Sequence, residues 1–321
     1  MEGRRPGGTE AEGGTFGVSA AVSVPTPLER RDWQAGGSGV GAVAARLLRD
    51  RRGALGTAVL VVLIVVAVFS PQLSPYDPNE IHLRDQLAGP SAAYWFGTDE
   101  VGRDILSRVM YSARPALEAG LLTIVLAAIV GALTGLVAGY RTGWFDLLIM
   151  RLWDTLLAFP AIFLAIGIVT VLGPGWLNAV LAIAVLNMPV FSRLVRASAL
   201  ATRNRDFVTA SRAIGCSDWR IMLSHVFPSC LAPLVVQMAI AAPEAILVEA
   251  SLSFLGLGSQ PPDPSWGNML GGAQGYLFRS PSYALFPGLA ITLVVVAMNS
   301  FADGLQDAID PHRVRGRGKA A

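Results

Sequence analysis

Six stretches of the chain are apolar enough, and long or nearly long enough, to cross a lipid bilayer. They cover residues 54–69, 120–140, 156–172, 176–191, 231–257 and 285–301. A spanning helix needs about 20 apolar residues. The third run has a polar lead-in that contains Asp146, Arg151 and Asp154. Pro160, Pro189, Pro233 and Pro243 fall in or beside the runs. Such breaks are tolerated where neighbouring helices satisfy the freed backbone. The pattern predicts an all-α membrane protein with about six transmembrane helices. It sets a first helix over 51–72, a loop over 73–115 and a five-helix core over 116–310 that includes a polar loop at 193–228. Residues 1–50 and 311–321 are left as tails. The first of these is rich in Gly, Pro, Ser and Glu and carries no hydrophobic period, so it is expected to be disordered. It does not read as a secretory signal, because the first apolar run begins too far in and no small-residue cleavage site follows.

Composition agrees with a lipid environment. The 321 residues are 53% hydrophobic and 15% charged, with a mean hydropathy of +0.51. Soluble domains carry about 25% charged residues. A net charge of +2 gives no sign of a nucleic-acid partner. Cys216 and Cys230 lack the number and spacing of a disulfide framework or a metal site and are expected as free thiols.

Arginine asymmetry sets the expected orientation. Arg193, Arg196, Arg203, Arg205, Arg212 and Arg220 crowd the segment between the fourth and fifth runs, which predicts that it is cytoplasmic. Arg46, Arg49, Arg51 and Arg52 precede the first run, and Arg313, Arg315, Arg317 and Lys319 follow the last. Six crossings then put both termini inside. The 73–115 loop mixes both signs and is expected on the extracytoplasmic side.

Several chemistries find no support. Lys319 is the one lysine and is followed by Ala320, so the Gly-x-x-x-x-Gly-Lys-Ser/Thr phosphate loop cannot form. His82, His225 and His312 are far apart and no His-Glu-x-x-His zinc motif occurs. No Gly-x-Ser-x-Gly elbow appears. Glycines 39 and 41 loosely echo a dinucleotide fingerprint, but no strand precedes them. The chain is expected not to be an enzyme, to hold no metal and to bind no cofactor.

The 205–228 segment, RDFVTASRAIGCSDWRIMLSHVFP, is the most informative polar stretch. Asp206 is a plausible N-cap for a short helix over 207–214. Gly215 sits where a helix end wants left-handed geometry. Ser217 can cap a second short helix with Asp218 in its first turn, where a carboxylate suits the dipole. Pro228 is expected to end the unit. Phe207, Ala210 and Ile214 would form one apolar face, and Trp219, Met222 and Leu223 the other. Such a hinge reads either as an interfacial loop on lipid headgroups or as a docking element for a soluble partner.

This segment resembles the coupling loop of bacterial ABC-importer permeases, with its Glu-Ala-Ala-x-x-x-Gly signature. Ala210 and Gly215 are in register and Pro228 is at the usual distance, while Thr209 replaces the usual Glu and Ser211 the second Ala. WFGTDEVGRD at 95–104, ASLSFLGLG at 250–258, PSWGNM at 264–269 and FADGLQDAIDP at 301–311 resemble the second, C-type permease subunit of dipeptide, oligopeptide and nickel importers. The resemblance runs from residue 52 to 311. It implies a type I importer permease fold in the bacterial inner membrane. It also implies a heterodimer with a sister permease, two cytoplasmic ATPases that use ATP and magnesium, and an extracytoplasmic solute-binding protein. Asp206, Thr209, Ala210, Ser211, Gly215, Asp218 and Pro228 become the candidate ATPase-coupling residues. Di- or oligopeptides are the implied cargo, with nickel or glutathione-like solutes left open.

Inside the apolar runs, Glu244 and Glu249 are candidates for the translocation path or for pairing within the bundle. Gly131, Gly135 and Gly139 form a small-residue stripe that lets helices approach closely. The partner of that stripe, the sister subunit or the same bundle, is open. Arg151 and Asp154, three apart, can pair on one helix face, or the arginine can snorkel to the interface. The 97–104 loop can serve cargo or the binding protein, or it can start the second helix with Asp99 as N-cap. A self-sufficient secondary transporter is the rival reading. It would call for inverted repeats with matched broken helices, and none is legible.

Overall fold

The computed structural model describes residues 40–309. Most of the expected N-terminal tail and all of the 311–321 tail lie outside that range. Helix starts at residue 40, however, where the tail was expected to continue to 50. Helix α1 (Val40–Arg49) buries Leu47 at the crossing of Gly53 and Gly304. Its Arg46 guanidinium donates to the Ala308 carbonyl at 3.2 Å. A short apolar face in a Gly-rich stretch was enough to fold once the crossing offered a socket.

Helix α2 (Arg51–Leu73) is capped by Asp50, whose carboxylate accepts from the Gly53 amide at 3.0 Å. Helix α3 (Ile105–Arg141) runs 37 residues, about 55 Å at 1.5 Å per residue. That exceeds a hydrocarbon core of about 30 Å, so its first turns stand clear of the apolar zone. Residues 105–115 are therefore helical rather than part of the preceding loop. The helix ends at Thr142 and Gly143, both at positive φ.

The third apolar run does not form one straight span. Helix α4 (Trp144–Leu157) and helix α5 (Ala161–Leu172) meet at a 94° bend. Pro160 disfavours helical geometry at Phe159 and has no amide to donate. Its carbonyl instead starts α5 by accepting from the Phe163 and Leu164 amides at 3.1 Å. Helix α6 (Trp176–Arg203) follows, then the short α7 (Asp206–Ala213) and α8 (Asp218–Ile221). A π turn over Met222–Val226 leads into α9 (Phe227–Phe254). Helix α10 (Trp266–Ala273) opens with a reciprocal capping box between Ser265 and Asn268. Helix α11 (Pro281–Ile309) closes the bundle. Among the described residues, five helices are long and apolar enough to cross a membrane, or six with the bent pair as one span.

The packing explains the order. Helix α3 lies along α6 and also touches α9 and α2, while α11 packs on α2 and α9. One core joins α3, α5, α6, α7, α8, the π turn and α9 around Phe191, Val195, Val208, Ile221 and Cys230. A second joins α2, α3, α9, α10 and α11 around Leu63, Ile246, Trp266 and Val294. Gly131, Gly135 and Gly139 face α6 of the same chain. A Cβ added at Gly131 would come within 2.6 Å of the Phe191 Cβ, and one at Gly139 within 2.6 Å of the Arg196 carbonyl. At Gly135 it would strike the Ser192 backbone. The stripe thus packs within this bundle, and Thr134 adds a 3.1 Å hydroxyl contact to Ser192.

Candidate functional site

The polar 193–228 segment forms an elbow at one end of the bundle. Its first arm, α7, begins at Asp206, with Arg205 rather than Asp206 in the N-cap position. Asp206 instead lies in the first turn, where its charge suits the dipole. The arm ends in a Schellman arrangement. The Cys216 amide donates to the Ser211 carbonyl at 3.1 Å and the Gly215 amide to the Arg212 carbonyl at 3.0 Å. Gly215 has a φ of +82°, and open space surrounds its missing side chain. Backbone geometry, not crowding, is what asks for glycine there.

The second arm does not stop at Pro228. Helix α8, the π turn and α9 form one continuous helix from Asp218 to Phe254. A proline ring at 228 would collide with the Ser224 carbonyl in a regular α-helix. The backbone relieves this by widening into the π turn just before it. The elbow is therefore a rigid extension of a spanning helix rather than a separate unit.

Burial divides the elbow into a base and a tip. Val208, Ser211, Ile221 and Met222 are buried in the base. Met222 thus belongs to the core and not to the exposed face the sequence suggests. Phe207, Ile214, Trp219 and Leu223 are exposed, Ile214 by 81% and Trp219 by 59%. Thr209 and Ala210 also face outward. The base is tied to the end of α3. The Tyr140 hydroxyl donates to the Asp218 carboxylate at 2.8 Å, and the Arg212 guanidinium sits 5.2 Å over the Tyr140 ring. Arg203 donates to the Tyr140 carbonyl at 3.1 Å and to the Thr142 hydroxyl at 3.0 Å. Sequence reading did not single out Tyr140, because its partner lies 78 residues away.

The acidic residues before the bend also find distant partners. Asp146 takes Arg196 through two contacts of 2.5 and 2.7 Å. Asp154 takes Arg193 at 2.6 Å, so the suggested Arg151–Asp154 pair does not form. Both contacts pin α4 to α6 close to the elbow.

The two intramembrane glutamates point differently. Glu249 is 3% exposed and accepts from the Ser253 hydroxyl at 2.7 Å. Glu244 lies on the exposed side of α9, with Ile240, Leu247 and Ser251 on the same stripe. The two glutamates lie five positions apart, a rotation of about 140° around the helix.

At the opposite end of the bundle, the 97–104 loop folds around Asp99. This fully buried carboxylate accepts from the Val101 and Arg103 amides at 3.0 and 2.9 Å and pairs with the Arg103 Nε at 2.6 Å. Asp99 is not the N-cap of the next helix. Asp104 is, accepting from the Ser107 amide at 2.8 Å.

Residues 131–315 match the family described as binding-protein-dependent transport system inner membrane component. Residues 41–90 match the N-terminal TM domain of oligopeptide transport permease C. The dipeptide transport system permease protein DppC of Alkalihalophilus pseudofirmus is 43% identical over 266 residues, 83% of this chain and 88% of the relative. The di/tripeptide transport system permease protein DppC of Pseudomonas aeruginosa is 47% identical over 268 residues, 81% and 88% of the two chains. The glutathione transport system permease protein GsiD of Escherichia coli O157:H7 is 45% identical over 268 residues, 83% and 88% of the two chains. An inward-facing structure of the MetNI methionine ABC transporter superposes with a TM-score of 0.53 at 16% identity, covering 64% of this chain and 98% of that one, which speaks to fold alone. The arrangement of apolar helices and the extent of these matches lead to one conclusion: the chain belongs to the inner-membrane permease family of binding-protein-dependent ABC importers.

Proposed function

We propose that this chain forms half of the translocation path of an importer for di- or oligopeptides, beside a sister permease. In this reading its elbow receives the stroke of separate cytoplasmic ATPases. The carrying observation is the elbow itself, which offers Ile214 and Trp219 at the tip of a turn whose base is locked to α3 and continuous with α9. Exposed apolar side chains on a rigid turn fit a groove in a soluble partner. A push at the tip travels to α3 through Asp218 and Tyr140, and to α9 along an unbroken helix. Asp206, Thr209 and Ala210 lie along the outer arm, while Ser211 and Gly215 shape the turn. Pro228 sits where the elbow passes into the span. ATP and magnesium belong to the partner subunits, and this chain holds no cofactor of its own.

The arginine-rich surroundings of the elbow favour the cytoplasm. Helix α9 supplies the path. A carboxylate at depth needs water or a partner, and Glu244 stands on a stripe that its own bundle leaves uncovered. Glu249 supports the wall from behind. Peptide cargo is favoured by the dipeptide and di/tripeptide relatives. A glutathione-type cargo is the second reading, favoured by the Escherichia coli relative. Uptake of a labelled dipeptide into vesicles tests the proposal, with the chain alone and with sister permease, ATPases and binding protein. Uptake that needs ATP and all subunits is expected. Uptake by this chain alone would discard the proposal.

A further inference from the structure

A cavity of about 500 Å³ opens where α1 passes into α2 beside the last turns of α11. A close helix crossing builds it, since a Cβ added at Gly304 would come within 2.6 Å of the Gly53 Cα. Arg49, Arg51, Arg52 and Gln306 line the space. The three arginines are exposed. Among the described residues, no hydrogen bond or ion pair engages any of these four side chains. Three aspartates share the wall, but they leave the guanidinium donors unfilled. Asp50 is turned to the Gly53 amide at 3.0 Å, and Asp307 already has a partner. Arg46 also reaches this corner, donating to the Ala308 carbonyl. The corner thus holds four guanidiniums against three carboxylates among the described residues.

Depth and the neighbouring surface say what kind of anion fits. The apolar run of α2 begins at Ala54, two residues after Arg52, so the cavity lies at the level of the lipid headgroups. Leu55 stands one turn beyond Arg51 on the same face. Ala58, Val62, Val65 and Phe69 continue that face at three- and four-residue steps, and all are exposed, Leu55 by 67% and Val62 by 60%. From Leu55 to Phe69 this apolar stripe runs about 21 Å at 1.5 Å per residue. That is longer than half of a hydrocarbon core of about 30 Å. A soluble anion would use the arginines and leave the stripe bare. A phospholipid uses both, because basic clusters beside a spanning helix attract anionic headgroups while acyl chains cover apolar surface.

We infer that this corner is a binding site for an anionic phospholipid, with its phosphodiester held by Arg49, Arg51 and Arg52 and one acyl chain laid along α2. Planar guanidiniums match phosphate oxygens in pairs. Asp303 and Gln306 are placed on the same wall to meet the hydroxyls of a glycerol headgroup. A lipid held there would clip α1 and the end of α11 to α2. The site is separate from the elbow and from Glu244, and it does not depend on which cargo is moved.

The test titrates the delipidated transporter in detergent with phosphatidylglycerol and phosphatidylcholine of the same acyl chains, and counts bound lipid by native mass spectrometry. Each arginine near an anionic headgroup is worth about a fivefold factor in affinity. Phosphatidylglycerol is therefore expected to bind at least about tenfold more tightly than phosphatidylcholine. The double variant Arg51→Gln, Arg52→Gln is expected to lose about twentyfold of the phosphatidylglycerol affinity and to leave phosphatidylcholine nearly unchanged. Arg51→Gln alone, with an expected loss of about fivefold, keeps the test decisive should the double variant fail to assemble. Equal affinities for the two lipids, or a preference unchanged in the variants, would overturn the inference. Inorganic phosphate that binds as tightly as phosphatidylglycerol would reduce the corner to a plain anion site and overturn it as well. So would Leu55→Cys crosslinking to a sister permease in the membrane, because protein would then cover the stripe.

Discussion

Tyr140, at the end of α3, donates a 2.8 Å hydrogen bond to Asp218, the first residue of the elbow's second arm. Tyr140 is 5% exposed, and Arg212 covers its ring from the first arm. One side chain therefore joins both arms of the elbow to the 37-residue helix α3.

Removing that hydroxyl should loosen the joint without unfolding the protein. Tyr140→Phe keeps the ring and the Arg212 contact and loses about 1 kcal/mol of local stability. Limited proteolysis of the elbow is expected to speed up severalfold, and the ATP spent per solute moved is expected to rise. An unchanged ratio would separate this bond from coupling.

Gly215 tests backbone geometry free of crowding, since open space surrounds its missing side chain. A β-branched residue at a φ of +82° costs about 1–2 kcal/mol. Gly215→Val is expected to uncouple hydrolysis from uptake while leaving membrane insertion intact. Gly215→Asn, which tolerates the left-handed region, is expected to keep most of the coupling. Equal behaviour of the two variants would contradict the role given to the turn.

The glycine stripe makes the opposite case. Gly135→Ala would drive a methyl group into the Ser192 backbone and is expected to destabilise the α3–α6 pair by about 1–3 kcal/mol. Gly167→Ala, on α5 in open space, removes a flexible residue and is expected to gain up to about 1 kcal/mol. Thermal unfolding of the two variants in detergent should move in opposite directions.

The bent helix pair depends on its ion pairs. Arg196 holds Asp146 through two contacts, with 34% and 17% of the two side chains exposed. A double-mutant cycle with Asp146→Asn and Arg196→Gln is expected to give a coupling of about 1 kcal/mol, at the upper end for partly exposed pairs. Additive losses would mean that the pair does not hold α4 in place.

The elements that sequence could reveal are those written in local order. Hydropathy marked each span, and the spacing of Gly131, Gly135 and Gly139 announced a close helix contact. Gly215 announced a turn because few other residues accept its geometry. Long-range pairing was hidden. The i, i+3 spacing of Arg151 and Asp154 suggested a local bond, while the partner that Asp154 takes lies 39 residues on. Asp99 looked able to start α3, and only the fold shows Asp104 capping it while Asp99 organises the loop. The bend at Pro160 was masked by an uninterrupted apolar run. The two glutamates of α9 were indistinguishable in type, and their rotation around the helix is what separates a buried residue from an exposed one.

Whether the elbow tip seats in a partner ATPase is tested most directly by trapping at position 214. Ile214→Cys is placed in a background with Cys216 and Cys230 replaced by serine, and paired with single cysteines along the groove of the ATPase. A disulfide that forms in the assembled transporter, and whose yield changes when ATP is added, is the expected result. A cysteine at 214 that reacts with a lipid-confined probe, or with a membrane-impermeant reagent added outside intact cells, would contradict it.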